Sequence, residues 1–152
     1  MTIIEDTRQQ AGKHEKIHKY FEENNIKLIR SKLLVGDYAR IDNMSVVIDT
    51  KKDLLELFGN LTKDHARVRE DYITAKEAGV QLIILVENEN NIKNLDDLKG
   101  EVEVKTKKFT KILNGDTLRK IAKTMQEKYA VQFLFTTPEK CPEKILEILG
   151  KI

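Results

Sequence analysis

The chain has 152 residues, 40% of them hydrophobic, enough to bury one sizeable core. It has no apolar run of membrane length and no signal-peptide pattern, so it reads as soluble and intracellular, in a compact form that would suit a phage or mobile element. A formal net charge of +2 makes no case for nucleic acid from bulk charge, and the lone Cys141 excludes an internal disulfide and gives no metal-ligand spacing.

Residues 2–6 read as a short strand. Residues 12–24 form an amphipathic helix with Ile17, Tyr20 and Phe21 on one side, ended by Asn24-Asn25. A strand over 26–34 follows, then a hairpin of 38–41 and 44–51 turned at Asp42-Asn43. Asp53 caps a helix carrying Leu54, Leu57, Phe58 and Leu61. Residues 64–78 make a second helix, stopped by Gly79, and 80–87 a buried strand. Residues 88–110 are polar and offer only a short turn at 95–98. Gly115-Asp116 opens a helix to Tyr129, with Leu118, Ile121, Ala122 and Met125 at helical spacing. A strand over 131–136 follows, and Pro142 starts a last helix to Leu149. The alternation predicts a three-layer α/β domain, with no internal repeat and no low-complexity linker, over residues 1–152.

The chemistry-bearing stretch is Gly36-Asp37-Tyr38 followed by Val46-Val47-Ile48-Asp49-Thr50-Lys51. It is an acid, a gap of eleven residues, then acid-x-Lys closing an apolar run. On a strand, Asp49 and Lys51 share one face. The run 45–48 is apolar on both faces, as in a strand buried on both sides. Charged groups at the end of such a strand are costly unless paired or bound to metal. Asp37 can meet Asp49 across the hairpin, and two carboxylates suit Mg²⁺ or Mn²⁺. Lys51 beside them can orient or activate a water, or offset charge on a phosphate.

The flanks of this stretch resemble the nuclease domain of the XPF family of structure-specific endonucleases, which includes the archaeal Hef proteins. The resemblance runs through Ile3-Ile4-Glu5-Asp6-Thr7-Arg8-Gln9, Leu34-Val35-Gly36-Asp37-Tyr38, Ile48-Asp49-Thr50-Lys51 and Asp53-Leu54. It continues in Arg67-Val68-Arg69-Glu70 and in the strand Leu82-Ile83-Ile84-Leu85-Val86-Glu87, so it spans residues 1–87. The family pattern has Glu where Asp49 stands, Arg at Thr50 and Glu at Gln9. Gln9 cannot ionise, which weakens any supporting charge role there.

The resemblance implies a restriction-endonuclease-like fold, a central mixed sheet flanked by helices. It also implies a Mg²⁺- or Mn²⁺-dependent endonuclease cutting branched or structured DNA in repair or recombination. Asp37, Asp49 and Lys51 would be catalytic. The metal would sit on Asp37 and Asp49, with Asp6 and the Thr50 carbonyl as further ligands. Arg8, Arg67 and Arg69 would face the phosphate, since an Arg fork donates two hydrogen bonds. A second reading is a catalytically silent DNA-binding or scaffold subunit. Retention of Asp37, Asp49 and Lys51 speaks against it, and Gln9 and Thr50 speak for it.

His14-Glu15-Lys16-Ile17-His18 is a literal H-E-x-x-H, the signature of zinc peptidases. Lys13, Lys16 and Lys19 surround it and no third ligand is recognisable, so a solvated helix is the expectation. Residues 101–125 hold seven basic residues, Lys105, Lys107, Lys108, Lys111, Arg119, Lys120 and Lys123, against three acids. This leaves +4 there and −2 over the rest, which makes the stretch the candidate DNA-backbone contact, with Lys105, Lys107, Lys108 and Lys111 at its centre. Family members usually select DNA structure through a tandem helix-hairpin-helix domain, which is not found here. Specificity is therefore expected from a partner subunit, a homodimer or residues 88–152. The strand Gln132-Phe133-Leu134-Phe135 and the helix from Ile145 to Leu149 are the expected two-fold interface.

Overall fold

The computed structural model describes residues 1–8 and 14–150. Gln9 and the expected start of the first helix lie outside the described residues. The elements are β1 (Thr2–Glu5), α1 (Glu15–Glu23), β2 (Lys27–Arg30), β3 (Tyr38–Arg40), β4 (Asn43–Lys51), α2 (Leu54–Leu61), α3 (His65–Glu77) and β5 (Gln81–Glu87). After a 3₁₀ turn at Leu95–Asp97 come β6 (Glu101–Lys105), β7 (Thr110–Asn114), α4 (Gly115–Lys128), β8 (Val131–Thr136) and α5 (Cys141–Gly150). No helix among the described residues is long and apolar enough to cross a membrane.

Local chemistry sets the boundaries. The Asp53 carboxylate accepts the Glu56 N–H at 2.8 Å and starts α2. Gly79, at φ +71°, takes the left-handed turn that ends α3. α4 opens at Gly115 as expected, and Asn114 caps it, its Oδ1 accepting the Thr117 N–H at 3.0 Å. The strand expected over 26–34 stops at Arg30. Beyond it, Leu33 leaves the ladder because other groups take its backbone. The Leu33 N–H donates to Asp6 at 2.8 Å, and Arg8 donates to the Leu33 carbonyl at 2.9 Å.

Six strands form one mixed sheet in the order β2-β1-β3-β4-β5-β8. β1 pairs parallel with β2, β4 with β5 and β5 with β8, while β3 is antiparallel to β1 and β4. Val46 and Ile48 of β4 pack on one face with Ile3, Phe21, Leu85 and Ile145, under α1 and α5. Val47 packs on the other face with Leu54, Leu57, Tyr72, Ile84 and Leu118, under α2, α3 and α4. This is the expected three-layer α/β architecture, with a central strand buried on both sides. Ser45 is exposed, so the doubly buried run begins one residue later than expected.

Two expectations change. Residues 88–110, read as irregular, contain β6, and with β7 it makes a separate antiparallel hairpin. Val102, Val104 and Leu113 fix that hairpin into the core beside α4. The apolar residues expected at a dimer interface, Phe133, Phe135, Ile145 and Leu149, are buried within the chain itself. Cys141 is a core thiol, pushed up to about 12 chiefly by burial.

Candidate active site

β4 carries Asp49 and Lys51 on the face covered by α2 and α3, because Val47 points there and alternate residues share a face. Gly36 brings the second acid to them. It sits at φ +77°, and a Cβ would stand 2.4 Å from Val47 Cγ1 and 3.1 Å from the Ile48 carbonyl oxygen. That close approach lets the Asp37 N–H donate to the Ile48 carbonyl at 2.8 Å. The Asp37 carbonyl in turn accepts the Asp6 N–H at 2.8 Å, tying the end of β1 to the same corner. Asp37 Oδ2 accepts both the Thr50 N–H and the Thr50 hydroxyl, each at 2.8 Å. Thr50 thus orients Asp37 through its side chain as well as its backbone, a role no pattern in the sequence announces.

Lys51 Nζ lies 3.3 Å from Asp49 Oδ2, with the lysine side chain 15% and the aspartate 23% exposed. The Asp49 carboxyl is pushed up to about 6, first by burial and then by the Asp37 charge, with Lys51 pulling the other way. Asp71 is raised by burial and by Asp49, against Arg67. Glu87 is pushed up to about 7, first by burial, with Lys16 opposing and Glu56 adding. These groups line one cleft of about 600 Å³ with Asp6, Arg8, Lys52, Asn60 and Arg67. The acids there crowd one another, and burial and mutual repulsion together raise Asp49, Asp71 and Glu87. The Asn60 side chain, in the same wall, has a buried Oδ1 with no hydrogen-bond partner among the described residues.

Asp6 behaves differently. Its carboxylate accepts the Arg8 N–H at 3.0 Å, Arg8 Nε at 2.7 Å, Arg8 Nη2 at 3.2 Å and the Leu33 N–H at 2.8 Å. Burial raises its carboxyl, but these donors together hold it below the ordinary value. With four donors on two oxygens, Asp6 fixes Arg8 and the exit of β2 at the wall of the cleft. Among the described residues no group of three or more His, Cys, Asp or Glu is arranged to hold a metal ion. Arg67 lines the cleft and Arg69 does not. Lys105, Lys107 and Lys108 line a separate groove, and Lys111 lies on β7 outside that lining.

Of the H-E-x-x-H histidines, His14 lines the same cleft as Asp37 and Asp49, and His18 does not. His18 Nε2 lies 2.6 Å from Glu5 Oε2, the Tyr38 hydroxyl donates to the same oxygen at 2.7 Å, and His14 Nδ1 contacts the Tyr38 hydroxyl. Arg30 Nε lies 3.5 Å from Glu5 Oε1. Glu15, the base of a peptidase reading, is exposed. The motif packs α1 on β1.

The fold has counterparts. An XPF protein from Aeropyrum pernix matches with a TM-score of 0.67 at 16% identity, over 99% of this chain and 60% of that one. A structure described as the Aeropyrum pernix XPF in complex with DNA matches with a TM-score of 0.65 at 16% identity, over 99% of this chain and 63% of that one. The chain thus spans about three fifths of these proteins, and at this identity they show the fold. No curated protein sequence matches the chain. The ERCC4 domain model matches residues 6–149, through both candidate acids and nearly to the end of α5. The chain belongs to the ERCC4 domain family.

Proposed function

We propose that the chain is a divalent-metal-dependent DNA endonuclease acting on branched or structured DNA. The observation that carries this reading is the pair Asp37 and Asp49 beside Lys51 in one cleft, with Asp49 pushed up to about 6 by burial and by the Asp37 charge. The donor set fits Mg²⁺ or Mn²⁺, which take carboxylate oxygens and keep waters and phosphate oxygens for the rest of their shell. Asp37 and Asp49 would hold it. When bound, the ion would lower the pKa of an attacking water and neutralise charge on the phosphate.

The chain's own residues do the remainder. Thr50 fixes the Asp37 carboxylate through two donors, so its oxygen does not reorient when the cleft fills. Lys51 stands where it can donate to a phosphate oxygen or to the nucleophilic water while still touching Asp49. Arg67 and Arg8, at the cleft wall, can each donate two hydrogen bonds to a backbone phosphate. DNA as substrate is supported by the family and by the DNA complex of the Aeropyrum pernix protein.

The test is cleavage of branched and linear DNA with Mg²⁺, with Mn²⁺ and with EDTA. Cutting with either metal and none with EDTA is the expected result. Asp37→Asn and Asp49→Asn should each lower it at least 10²-fold, because each neutralises a ligand. Undiminished cutting in EDTA, or near wild-type activity in either variant, would sink the assignment. No cutting of any substrate would leave the silent-subunit reading.

A further inference from the structure

We propose that the groove beside the β6–β7 hairpin holds an unpaired DNA strand leaving the cleft, and that Phe109 stacks on one of its bases. This deepens the nuclease reading and rests on it. The groove measures about 1280 Å³ and runs between the start of α2 and the hairpin. Lys52 and Glu56 line both this groove and the cleft, so a strand whose phosphate sits at Asp37 and Asp49 continues into it past Lys52.

The lining is two-sided. Lys105, Lys107 and Lys108 stand on the hairpin, while Asp53, Glu56 and Glu89 stand on the body of the domain, with Glu103 on β6. Leu55, Val104, Phe109 and Pro138 make the apolar surface between them. Phosphates belong on the lysine side and are repelled by the acids. A single strand meets both demands, with its backbone against the hairpin and its bases turned inward, where carboxylates can accept from base amino groups. A duplex carries phosphate on both strands and would set one row against the acids.

Phe109 gives the groove its stacking surface. Its ring is 56% exposed, in a chain whose other phenylalanines are mostly covered. The turn that carries it is closed by Thr106. The Thr106 N–H donates to the Phe109 carbonyl at 2.8 Å, and the Phe109 N–H donates to Thr106 Oγ1 at 3.0 Å. Val104, one residue behind that turn, is buried. The ring is therefore presented on a fixed turn between lysines, and an aromatic face can stack only on a base that no neighbouring base covers.

The chain has no tryptophan, so Phe109→Trp adds a single indole reporter. In Ca²⁺, a splayed-arm DNA should quench that emission, and a blunt duplex of the same length should not. Phe109→Ala should weaken splayed-arm binding about tenfold while leaving duplex binding unchanged, and Phe109→Trp should restore it. Equal quenching by both DNAs, or an Ala variant that binds the splayed arm like wild type, would overturn the inference while metal-dependent cutting still stood. A Phe109→Ala variant weakened equally for both DNAs would overturn it too. A wild-type protein that binds no DNA would remove this inference and the nuclease reading together.

Discussion

Two carboxylate centres sit on opposite faces of the same sheet, and they are built in opposite ways. Under α1, Glu5 is buried and met by the Tyr38 hydroxyl, His18 and Arg30. Under α2 and α3, Asp49 lies beside Asp37 with Lys51 3.3 Å away, and its carboxyl is pushed up to about 6, first by burial and then by the Asp37 charge. A carboxylate given enough donors is part of the scaffold. A pair of carboxylates left short of positive charge is unfavourable in the metal-free fold and is made favourable by a cation. The contrast decides between the two motifs in the sequence: H-E-x-x-H belongs to the satisfied centre, and acid-x-Lys to the unsatisfied one.

The largest expected effect lies at the unsatisfied centre. Lys51→Ala leaves both carboxylates and the hairpin lysines in place, so metal and DNA binding measured in Ca²⁺ should change little. Single-turnover cleavage in Mg²⁺ should fall about 10²-fold, as for loss of a positioned charge or proton donor. Equal rates for wild type and variant would make Lys51 another structural partner and blur the contrast.

Stability should respond with opposite sign at the two centres. Glu5→Gln keeps the shape but removes the charge that His18, Tyr38 and Arg30 surround, and should cost about 2 kcal/mol in denaturant unfolding. Asp49→Asn removes a charge that the metal-free fold disfavours, and should be neutral or stabilising by about 1 kcal/mol at neutral pH. Destabilisation of similar size in both would show that Asp49 is satisfied after all.

Most of this was readable before any coordinates. Hydrophobic spacing located β1, β4, β5, β8 and all five helices, because each buries a regular stripe or a whole run. Gly36 and the acid-x-Lys placed the site. The hairpin β6–β7 was not seen, although Glu101-Val102-Glu103-Val104-Lys105 alternates at the strand period. Its turn, Thr106 to Phe109, has no Gly, Pro or Asn and is closed instead by a threonine side chain, so the usual punctuation was missing. Asp6 and Arg69 show the other limit. One-letter proximity to the site could not say that Arg8 and Leu33 would both donate to Asp6, or that Arg67 and not Arg69 would line the cleft. Side-chain partners from distant residues decide which acids remain available, and sequence spacing does not carry them.

The pH dependence sharpens the same distinction. Asp49 titrates near 6 in the fold against an ordinary 3.8, so the fold prefers its neutral form. Its contribution to metal-free stability is favourable at low pH and is lost as pH rises from about 4 to about 6, with Glu87 extending the loss towards 7. Asp6, held below its ordinary value, works the other way and weakens the fold only under stronger acid. Metal needs the ionised pair. Mg²⁺ or Mn²⁺ affinity, followed by calorimetry, should rise up to about tenfold per pH unit to near 6 and then flatten. A flat profile from pH 5 to 8 would place the ion elsewhere.

The smallest effect belongs to the satisfied centre. His18 donates to Glu5 from α1 at 2.6 Å, but Tyr38 and Arg30 remain when it is removed. His18→Ala should therefore cost about 1 kcal/mol of stability, less than a fully orphaned carboxylate would. His14 lines the cleft but His18 does not, so Asp37, Asp49 and Lys51 keep their partners. Mg²⁺-dependent cleavage, measured well below the melting temperature, should stay within about twofold of wild type, since no group that meets the phosphate has moved. Loss of zinc binding together with loss of cleavage in this variant would reverse the assignment, because it would put the chemistry at Glu5, His14 and His18 and make the acid pair the scaffold.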